Sequence, residues 1–234
     1  MVARLFHTIF FYLLIAVTFL FGTTLTLILG VFTRSKAQAF QKAAHLWARF
    51  LMPFSGIKLN VSGLGNIPRD KAVIFASNHQ GAMDIFLVLA LLPVNFRFAI
   101  KKELFKIPFF GWYLKKAGYF SIDRKLILSA YRTVEKIIDY IKSGESVLIF
   151  PEGTRSKTGE LGRLKRGSLL AALKSGAPIV PIAISGSVKI MPRGSFLLNP
   201  CPVKFSVGQP IEIKSEEDYD NKVEEVRQAI AGML

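Results

Sequence analysis

The sequence predicts an α/β fold, a mostly parallel sheet covered by helices, with an N-terminal hydrophobic membrane-anchoring helical segment. Three observations support this. Residues 5–33 contain no charged side chain, and about 20 apolar residues are enough to span a bilayer. From residue 56 onward, short apolar runs alternate with stretches of helical periodicity. Several of these runs are continuously apolar, as strands are when helices cover both faces of a parallel sheet.

Residues 1–54 form the predicted membrane-associated part of the chain, and residues 55–234 the predicted α/β domain. Residues 35–52 place apolar side chains at helical spacing opposite Lys36 and Lys42. This pattern predicts a basic amphipathic helix at the lipid interface, with simple packing on the domain as the alternative. Gly22, near the middle of the uncharged stretch, leaves a single spanning helix and a bent, re-entrant pair both open.

Seven strands and four helices are expected after residue 55. The strand candidates are 57–62, 72–77, 96–100, 118–122, 146–150, 178–185 and 203–207. The helix candidates are 82–92, 125–142, 167–175 and 216–232. Gly144 follows the second of these helices in the position where a left-handed residue commonly ends a helix.

The charge of the chain is strongly basic and unevenly distributed. Lys and Arg number 31 against 16 Asp and Glu, a formal net charge of +15. Seven of the acids lie between Glu212 and Glu225, so residues 1–209 carry 28 basic and 9 acidic side chains. Such a surface favours nucleic acid, anionic lipid headgroups or a phosphorylated substrate. The long uncharged N-terminus is unexpected in a nucleic-acid-binding protein, so we expect lipid or phosphate.

Cysteine and histidine are scarce. The single cysteine, Cys201, excludes an intrachain disulfide and any Cys-rich metal site. The three histidines lack the spacing of paired metal ligands. We therefore expect no structural metal.

His79 and Asp84 are the first candidate catalytic pair, in NHQGAMD (78–84), directly after an apolar run. In one continuous helix this spacing would place them about 140° apart. They can meet only if His79 precedes the helix and Asp84 lies in its first turn. A carboxylate on one imidazole nitrogen makes the other a general base. The alternative is a structural turn followed by an acid that favours the helix dipole.

FPEGTRS (150–156) follows another apolar run and is the second candidate site. The end of a strand is where open α/β sheets bind ligands. Arg155 could bind a phosphate with two hydrogen bonds, and Gly153 would let a ligand approach the backbone. The alternative is a solvated turn in which Glu152 and Arg155 pair with each other.

Two further basic stretches adjoin the ends of predicted elements. IDR (122–124) places Arg124 after another strand, where a plain surface ion pair is the alternative. GRLKRG (162–167) precedes a predicted helix whose N-terminal N–H groups favour anions, with a solvated loop as the alternative. Because the carboxyl ends of parallel strands meet at one edge, we expect His79, Arg124 and residues 150–156 to form one site.

Four motifs together resemble a known family. NHQGAMD, GYFSIDR, FPEGTRS and IVPIAI, in that order, resemble the motifs of the glycerolipid acyltransferases, most closely the bacterial 1-acyl-sn-glycerol-3-phosphate (lysophosphatidate) acyltransferase group. The resemblance covers roughly residues 55–210, and residues 101–118 are similar to the segment between the first two motifs. Gly81 stands where the first motif usually has Ser, and Ser121 where the second usually has Phe. These two departures leave headgroup and acyl preference open.

The resemblance implies a role for each matching residue. His79 corresponds to the catalytic base and Asp84 to its partner. The residues that correspond to glycerol-phosphate binding are Arg124, Glu152, Gly153 and Arg155. Pro181, in the fourth motif, corresponds to the acyl-donor side. Further candidate contacts to the phosphate or the donor are Lys101, Lys102, Lys165 and Arg166.

The resemblance also implies a reaction. His79 would take the proton from the sn-2 hydroxyl of lysophosphatidate, and the alkoxide would attack the thioester of acyl-CoA or acyl-acyl carrier protein. No protein nucleophile, cofactor or metal is required. The expected partners are the lipid bilayer, lysophosphatidate and the acyl donor, with no nucleic acid. The expected location is the cytoplasmic face of a bacterial inner membrane.

Two alternatives stand beside this interpretation. The same fold could act on glycerol 3-phosphate, another lysophospholipid or a lyso-ornithine lipid, and the motif residues do not discriminate among them. The chain could instead be a non-catalytic, membrane-anchored module that binds anionic lipid through its basic surface. That second alternative does not explain why His79, Glu152 and Arg155 follow strand ends.

Overall fold

The computed structural model describes residues 1–30, 35–122, 127–156, 158–192 and 194–234. The strands are β1 (Leu59–Ser62), β2 (Ile74–Ser77), β3 (Phe96–Lys101), β4 (Phe120–Ile122), β5 (Ser146–Ile149), β6 (Ile179–Ser185) and β7 (Val203–Val207). The helices are α1 (Val2–Gly30), α2 (Lys36–Leu51), α3 (Met83–Leu91), α4 (Phe110–Lys116), α5 (Ile127–Lys142), α6 (Leu170–Ser175), α7 (Ser187–Ile190) and α8 (Tyr219–Met233).

The strands form one sheet in the order β1-β7-β6-β2-β5-β3-β4. From β6 to β4, five adjacent strands are parallel. β7 runs antiparallel to β6, and β1 runs parallel to β7. The predicted mostly parallel sheet is therefore confirmed, and the two reversed strands at one edge make it a mixed sheet.

Successive side chains of each strand point to opposite faces of the sheet. Helices cover both faces, so there are two cores. Phe75 and Ile182 pack in the core beneath α1, α2, α3 and α4. Ala76 and Ala183 pack in a second core beneath α5, α6 and α8. All four residues of β2 are buried, which explains why its sequence is apolar without alternation.

Residues 5–30 of the uncharged N-terminal stretch lie in one unbroken helix, α1, of 29 residues. A helix of this length extends about 43 Å, and by length and composition it could cross a membrane. Phe11 is buried, and the Trp47 indole N–H donates to Thr18 Oγ1 at 2.9 Å. α1 and α2 share a core with the sheet, to which α1 contributes Phe11, Leu14, Ile15 and Phe19. The predicted division at residue 54 stays a prediction.

The seven predicted strands are confirmed, each with boundaries within two residues of the prediction. Gly144 has a φ of +82°, as expected for the residue that follows α5. Two short helices were not predicted from the sequence: α4, of seven residues, and α7, of four. The sequence did not predict α4 because it contains Gly111, and glycine ordinarily weakens a helix. Here a Cβ would lie 2.1 Å from the Phe105 carbonyl oxygen, so only glycine fits.

Candidate active site

The candidate site lies at the sheet edge where the parallel strands end. His79 follows β2, Glu152 follows β5, and Ser187 follows β6. β2 lies between β5 and β6 in the sheet. The three loops therefore meet around His79, which is the arrangement expected when carboxyl ends of parallel strands share an edge.

His79 and Asp84 form a buried hydrogen-bonded pair. The His79 Nδ1–H donates to Asp84 Oδ2 at 2.7 Å. His79 lies in the loop before α3, and Asp84 lies in the first turn of α3. This is the geometry that the sequence predicted for a working pair. Because Asp84 engages Nδ1, the lone pair of the imidazole is on Nε2, as a general base requires.

Asp84 is surrounded by hydrogen-bond donors. Its Oδ2 also accepts the backbone N–H of Gln80 at 2.7 Å and that of Gly81 at 2.9 Å. Its Oδ1 accepts the Ser187 hydroxyl at 2.5 Å. The side chain is 0% exposed. With the His79 Nδ1–H, four hydrogen-bond donors surround this buried carboxyl group, and its Oδ2 faces the imidazole.

Ser187 positions Asp84 and was not among the residues predicted from the sequence. It is 1% exposed, and its hydroxyl is the donor to Asp84 Oδ1. It lies 103 residues beyond Asp84 in the chain. The signal available in the sequence was weak: a serine two residues after a predicted strand, which becomes informative only when β6 is known to lie beside β2.

Ser187→Ala is expected to lower kcat about tenfold with little change in KM, because the carboxylate loses a charge-assisted hydrogen bond but still engages His79. The free energy of unfolding is expected to fall by about 1–3 kcal/mol. Steady-state kinetics and thermal unfolding measure both quantities. Ser187→Thr retains the hydroxyl and should restore most of kcat; equal losses in both variants would contradict a role for the hydroxyl.

The backbone of His79 is held on both sides by the loop that follows β5. Its N–H donates to Glu152 Oε1 at 3.0 Å, and its carbonyl oxygen accepts the Ser156 N–H at 2.7 Å. The imidazole stacks on the Phe150 ring, with centroids 4.0 Å apart and planes 16° apart. These contacts fix the position of His79 independently of the Asp84 hydrogen bond.

Asn78 ties the same loop to the neighbouring strand. Its side-chain amide donates to the Ile184 carbonyl oxygen and accepts the Ile184 N–H, both at 2.8 Å. The side chain is 1% exposed. Asn78 thus substitutes for a backbone partner of β6 and starts the loop that carries His79.

Glu152 is buried, and both of its carboxylate oxygens accept backbone N–H groups. One binds His79 and the other binds the Gly162 N–H at 2.8 Å. An anion with these partners has no donor to offer a phosphate. The visible role of Glu152 is to position His79, and its assignment to substrate binding stays a prediction.

Glu152→Gln is expected to lower kcat and the unfolding free energy together, by about 1–3 kcal/mol for the latter, because one backbone N–H would face an amide NH₂. KM for the acceptor should change little. Steady-state kinetics and thermal unfolding together distinguish positioning of His79 from a direct contact with the substrate. Loss of a direct substrate contact would raise KM and leave the melting temperature unchanged. Glu160→Gln, an exposed acid in the same loop, is the matched control and should leave both quantities unchanged.

The predicted cationic residues fall into different surroundings. Arg155 is exposed and directly precedes Ser156, which bonds to His79. Lys165 extends over Gly153, where a Cβ would lie 2.7 Å from Lys165 Cε. Gly153 has a φ of +72°, so its missing side chain permits both the turn and this close approach. Lys165 is thereby brought to the 150–156 loop.

Arg166 points elsewhere. Its guanidinium makes two hydrogen bonds to the Asp220 carboxylate of α8, at 2.9 and 2.8 Å. Lys101 lies at the end of β3 with Glu103 at 3.7 Å, and Lys102 is exposed beside it. Arg124 lies outside the described residues.

Pro181 lies inside β6, where it is paired with Ala76 and buried. Its ring lies near Gly208, beside Met233 of α8. This is the face of the sheet opposite α3, so Pro181 does not contact the His79 loop directly. Its assignment to the acyl-donor side stays a prediction.

Cys201 does not belong to the site. Its thiol donates to the Gly186 carbonyl oxygen at 3.5 Å. Burial raises the pKa of the Cys201 thiol, with the nearby Lys189 charge acting in the opposite direction. Within the part of the chain that the structure describes, no group of three or more His, Cys, Asp or Glu side chains is placed to hold a metal ion.

Gly81, which stands where the first motif usually has serine, lies close to the backbone of α7. A Cβ at Gly81 would lie 3.1 Å from the Ser187 carbonyl oxygen. The absence of a side chain lets the backbone of α7 approach the loop closely. The Ser187 hydroxyl then reaches Asp84 from the neighbouring strand end.

Comparison with known proteins identifies the family to which the chain is similar. Residues 58–185 match the acyltransferase family. The chloroplast 1-acyl-sn-glycerol-3-phosphate acyltransferase of Arabidopsis thaliana is 39% identical over 171 residues, 72% of this chain and 47% of that protein. The 1-acyl-sn-glycerol-3-phosphate acyltransferase of Pseudomonas aeruginosa is 30% identical over 215 residues, 90% of this chain and 82% of that protein. This chain thus spans about half the length of the plant relative and most of the bacterial one.

A solved structure agrees over nearly the whole chain. The crystal structure of the 1-acyl-sn-glycerophosphate acyltransferase from Thermotoga maritima aligns with a TM-score of 0.83 at 28% identity, covering 99% of this chain and 96% of that one. The range that matches the family, residues 58–185, runs from β1 to the end of β6. The chain belongs to the acyltransferase family.

Proposed function

We propose that this chain transfers an acyl group from acyl-CoA or acyl-acyl carrier protein to the sn-2 hydroxyl of lysophosphatidate, giving phosphatidate. The observation that carries the proposal is the buried His79–Asp84 pair, in which Nδ1 donates and Nε2 is left as the basic nitrogen. The choice of acceptor is supported by the names of the relatives, which are 1-acyl-sn-glycerol-3-phosphate acyltransferases.

The reaction needs one base and no covalent enzyme intermediate. His79 Nε2 takes the proton of the sn-2 hydroxyl as its oxygen attacks the thioester carbonyl carbon. The tetrahedral intermediate collapses, the carbon–sulfur bond breaks, and the imidazolium returns the proton to the thiolate. The Asp84 carboxylate stabilises the imidazolium between these two transfers. Acylated lipid and free thiol leave, and the enzyme is unchanged.

The acceptor's phosphate is proposed to bind beside the loop that follows β5. Arg155 precedes the residue that bonds to His79, and Lys165 crosses Gly153 in the same loop. Arg124 is proposed to complete the set from the end of β4. Two guanidinium groups and an ammonium would orient the glycerol so that its hydroxyl meets Nε2, which is the main way positioning accelerates a bimolecular step.

The chain is proposed to act at a membrane. α1 is apolar and long enough to enter a bilayer, and many of its large side chains are exposed, Phe6, Leu13, Val17 and Phe21 among them. Lysophosphatidate and phosphatidate both reside in bilayers, so an attached enzyme meets its substrate in two dimensions. Because acyl-CoA and acyl carrier protein are cytoplasmic donors, we place the site on the cytoplasmic face.

The proposed function is tested by offering the purified chain, in mixed micelles, each acceptor in turn with acyl-CoA or acyl-acyl carrier protein. The acceptors are lysophosphatidate, glycerol 3-phosphate, another lysophospholipid and lyso-ornithine lipid. Thiol release and labelled lipid product are followed together. We expect lysophosphatidate to give the highest kcat/KM. If only a different acceptor were acylated, that acceptor would be the substrate and lysophosphatidate would not. Lipid binding without turnover of any acceptor would indicate the non-catalytic module.

A further inference from the structure

The connection from β3 to β4, residues 102–116, presents large apolar side chains to water. We call it the β3–β4 segment. Its exposed apolar residues are Leu104 (38%), Ile107 (46%), Phe109 (76%) and Trp112 (37%). Residues 101–116 contain five lysines and one acid, Glu103, and all five lysines are exposed. Apolar tips among lysines are typical of surfaces that enter anionic membranes.

Phe109 is held outward by a strained backbone. Among the described residues, it is the only one other than glycine with a positive φ, at φ 58° and ψ −50°. Across it, the Phe110 N–H donates to the Pro108 carbonyl oxygen at 2.6 Å. This is a γ-turn of the rare, strained kind. A strained aromatic that is mostly in water gives the folded chain no packing, so it points to a contact outside the chain.

The segment contacts α1 and α2, the two helices predicted to attach the chain to a membrane. The Gly111 N–H donates to the Ile107 carbonyl oxygen at 2.7 Å, which fixes the turn before α4. The Tyr113 hydroxyl donates to the Phe40 carbonyl oxygen of α2 at 2.7 Å. The Phe110 ring packs against Phe19 of α1, with centroids 5.9 Å apart. The exposed patch is therefore adjacent to α1, which carries the apolar surface proposed to enter the bilayer.

We propose that the β3–β4 segment is a second membrane-contacting element, whose apolar side chains enter the headgroup region of an anionic bilayer while its lysines bind lipid phosphates. The segment leaves β3 at the same sheet edge where His79 follows β2. Insertion would thus bring the bilayer to the mouth of the candidate site. The inference concerns membrane contact alone and does not depend on which acyl acceptor is used.

A fluorescent probe tests insertion directly in the full chain. In a Cys201→Ser background, Phe109→Cys and Tyr131→Cys are each labelled with an environment-sensitive fluorophore. Tyr131 is the matched control because it is 62% exposed on α5, on the opposite face of the sheet. With vesicles of phosphatidylglycerol and phosphatidylcholine, emission from position 109 should shift to the blue and be quenched by brominated lipid. Emission from position 131 should not change.

Two outcomes would overturn the proposal. One is a probe at position 109 that is still quenched by iodide in the aqueous phase when the protein cosediments with vesicles. The other is a probe that responds to acidic acyl carrier protein and not to vesicles, which would make the patch a protein-docking surface. Because neither readout uses catalysis, failure of the proposed function would leave this test intact.

Substitutions at Phe109 separate membrane contact from a structural role. Phe109→Gly removes the aromatic ring and suits the positive φ, so the melting temperature should stay the same or rise while vesicle binding weakens. Phe109→Trp should retain binding, because tryptophan favours the interface. A lower melting temperature with unchanged binding in Phe109→Gly would overturn the proposal.

The lysine contribution is measured with two charge-matched double variants. Lys106→Gln with Lys115→Gln should weaken binding to anionic vesicles about tenfold and reduce its salt dependence. Lys142→Gln with Lys174→Gln removes the same charge from the exposed surface of α5 and α6 and should change binding little. Equal effects from the two pairs would show that net charge alone is responsible, against the proposal.

Discussion

His79→Ala is expected to lower kcat for phosphatidate formation by about 10²–10⁴-fold, with a small change in KM, because it removes the general base. The residual rate should come from substrate positioning by groups that the substitution leaves in place. Acyl transfer under single-turnover conditions, with labelled lysophosphatidate, measures the chemical step. Activity near that of the wild type would contradict the mechanism.

Two controls separate loss of the base from loss of the fold. The space left beside Phe150 is suited to a free imidazole, so added imidazole should restore part of the rate of His79→Ala and have no effect on the wild type. His7→Gln is the matched histidine control, because His7 lies on α1 and its Nε2 is 2.9 Å from the Phe54 carbonyl oxygen. It should retain activity.

The sequence was sufficient to predict the parts of the site that are local. His79 and Asp84 are five residues apart, and their contact follows once a loop precedes α3. The apolar runs predicted the strands, because strands buried on both faces leave few polar positions. The shared sheet edge then followed from parallel pairing.

The parts that escaped prediction depend on distant pairing. Ser187 reaches Asp84 only because β6 lies beside β2, and strand order is not written in any short motif. The pairing of Arg166 with Asp220 of α8 could not be predicted from the sequence either, and the assignment of Arg166 to phosphate or donor binding stays a prediction. The hydrogen bonds of Glu152 also depend on the tertiary fold, because its two backbone partners lie 73 and 10 residues away in the chain. For such residues the side chain indicates what kind of hydrogen bond can form, and only the tertiary structure shows with which partner it forms.

Asp84→Ala is expected to damage the fold as well as the reaction. It would leave the buried N–H groups of Gln80 and Gly81 without their acceptor, and the Ser187 hydroxyl with only Gln80 Oε1, at 3.3 Å. Each such group costs about 1–3 kcal/mol, and domains are stable by only about 5–15 kcal/mol. A large drop in melting temperature would therefore accompany the loss of activity, and this variant alone cannot isolate the catalytic role of the charge.

Asp84→Asn isolates that charge. The two backbone N–H groups point at one oxygen position, so the amide oxygen should occupy it and the amide NH₂ should face Ser187. The His79 Nδ1–H would then keep its acceptor and its tautomer. We expect a loss in kcat that is smaller than the roughly 10⁴-fold seen when such a substitution imposes the wrong tautomer, with a modest change in melting temperature.

Nitrogen NMR of the imidazole reports the tautomer. If the tautomer is retained, the loss in kcat measures how far the carboxylate charge stabilises the imidazolium. If kcat were unchanged with the tautomer retained, orientation of His79 would be the whole contribution of Asp84.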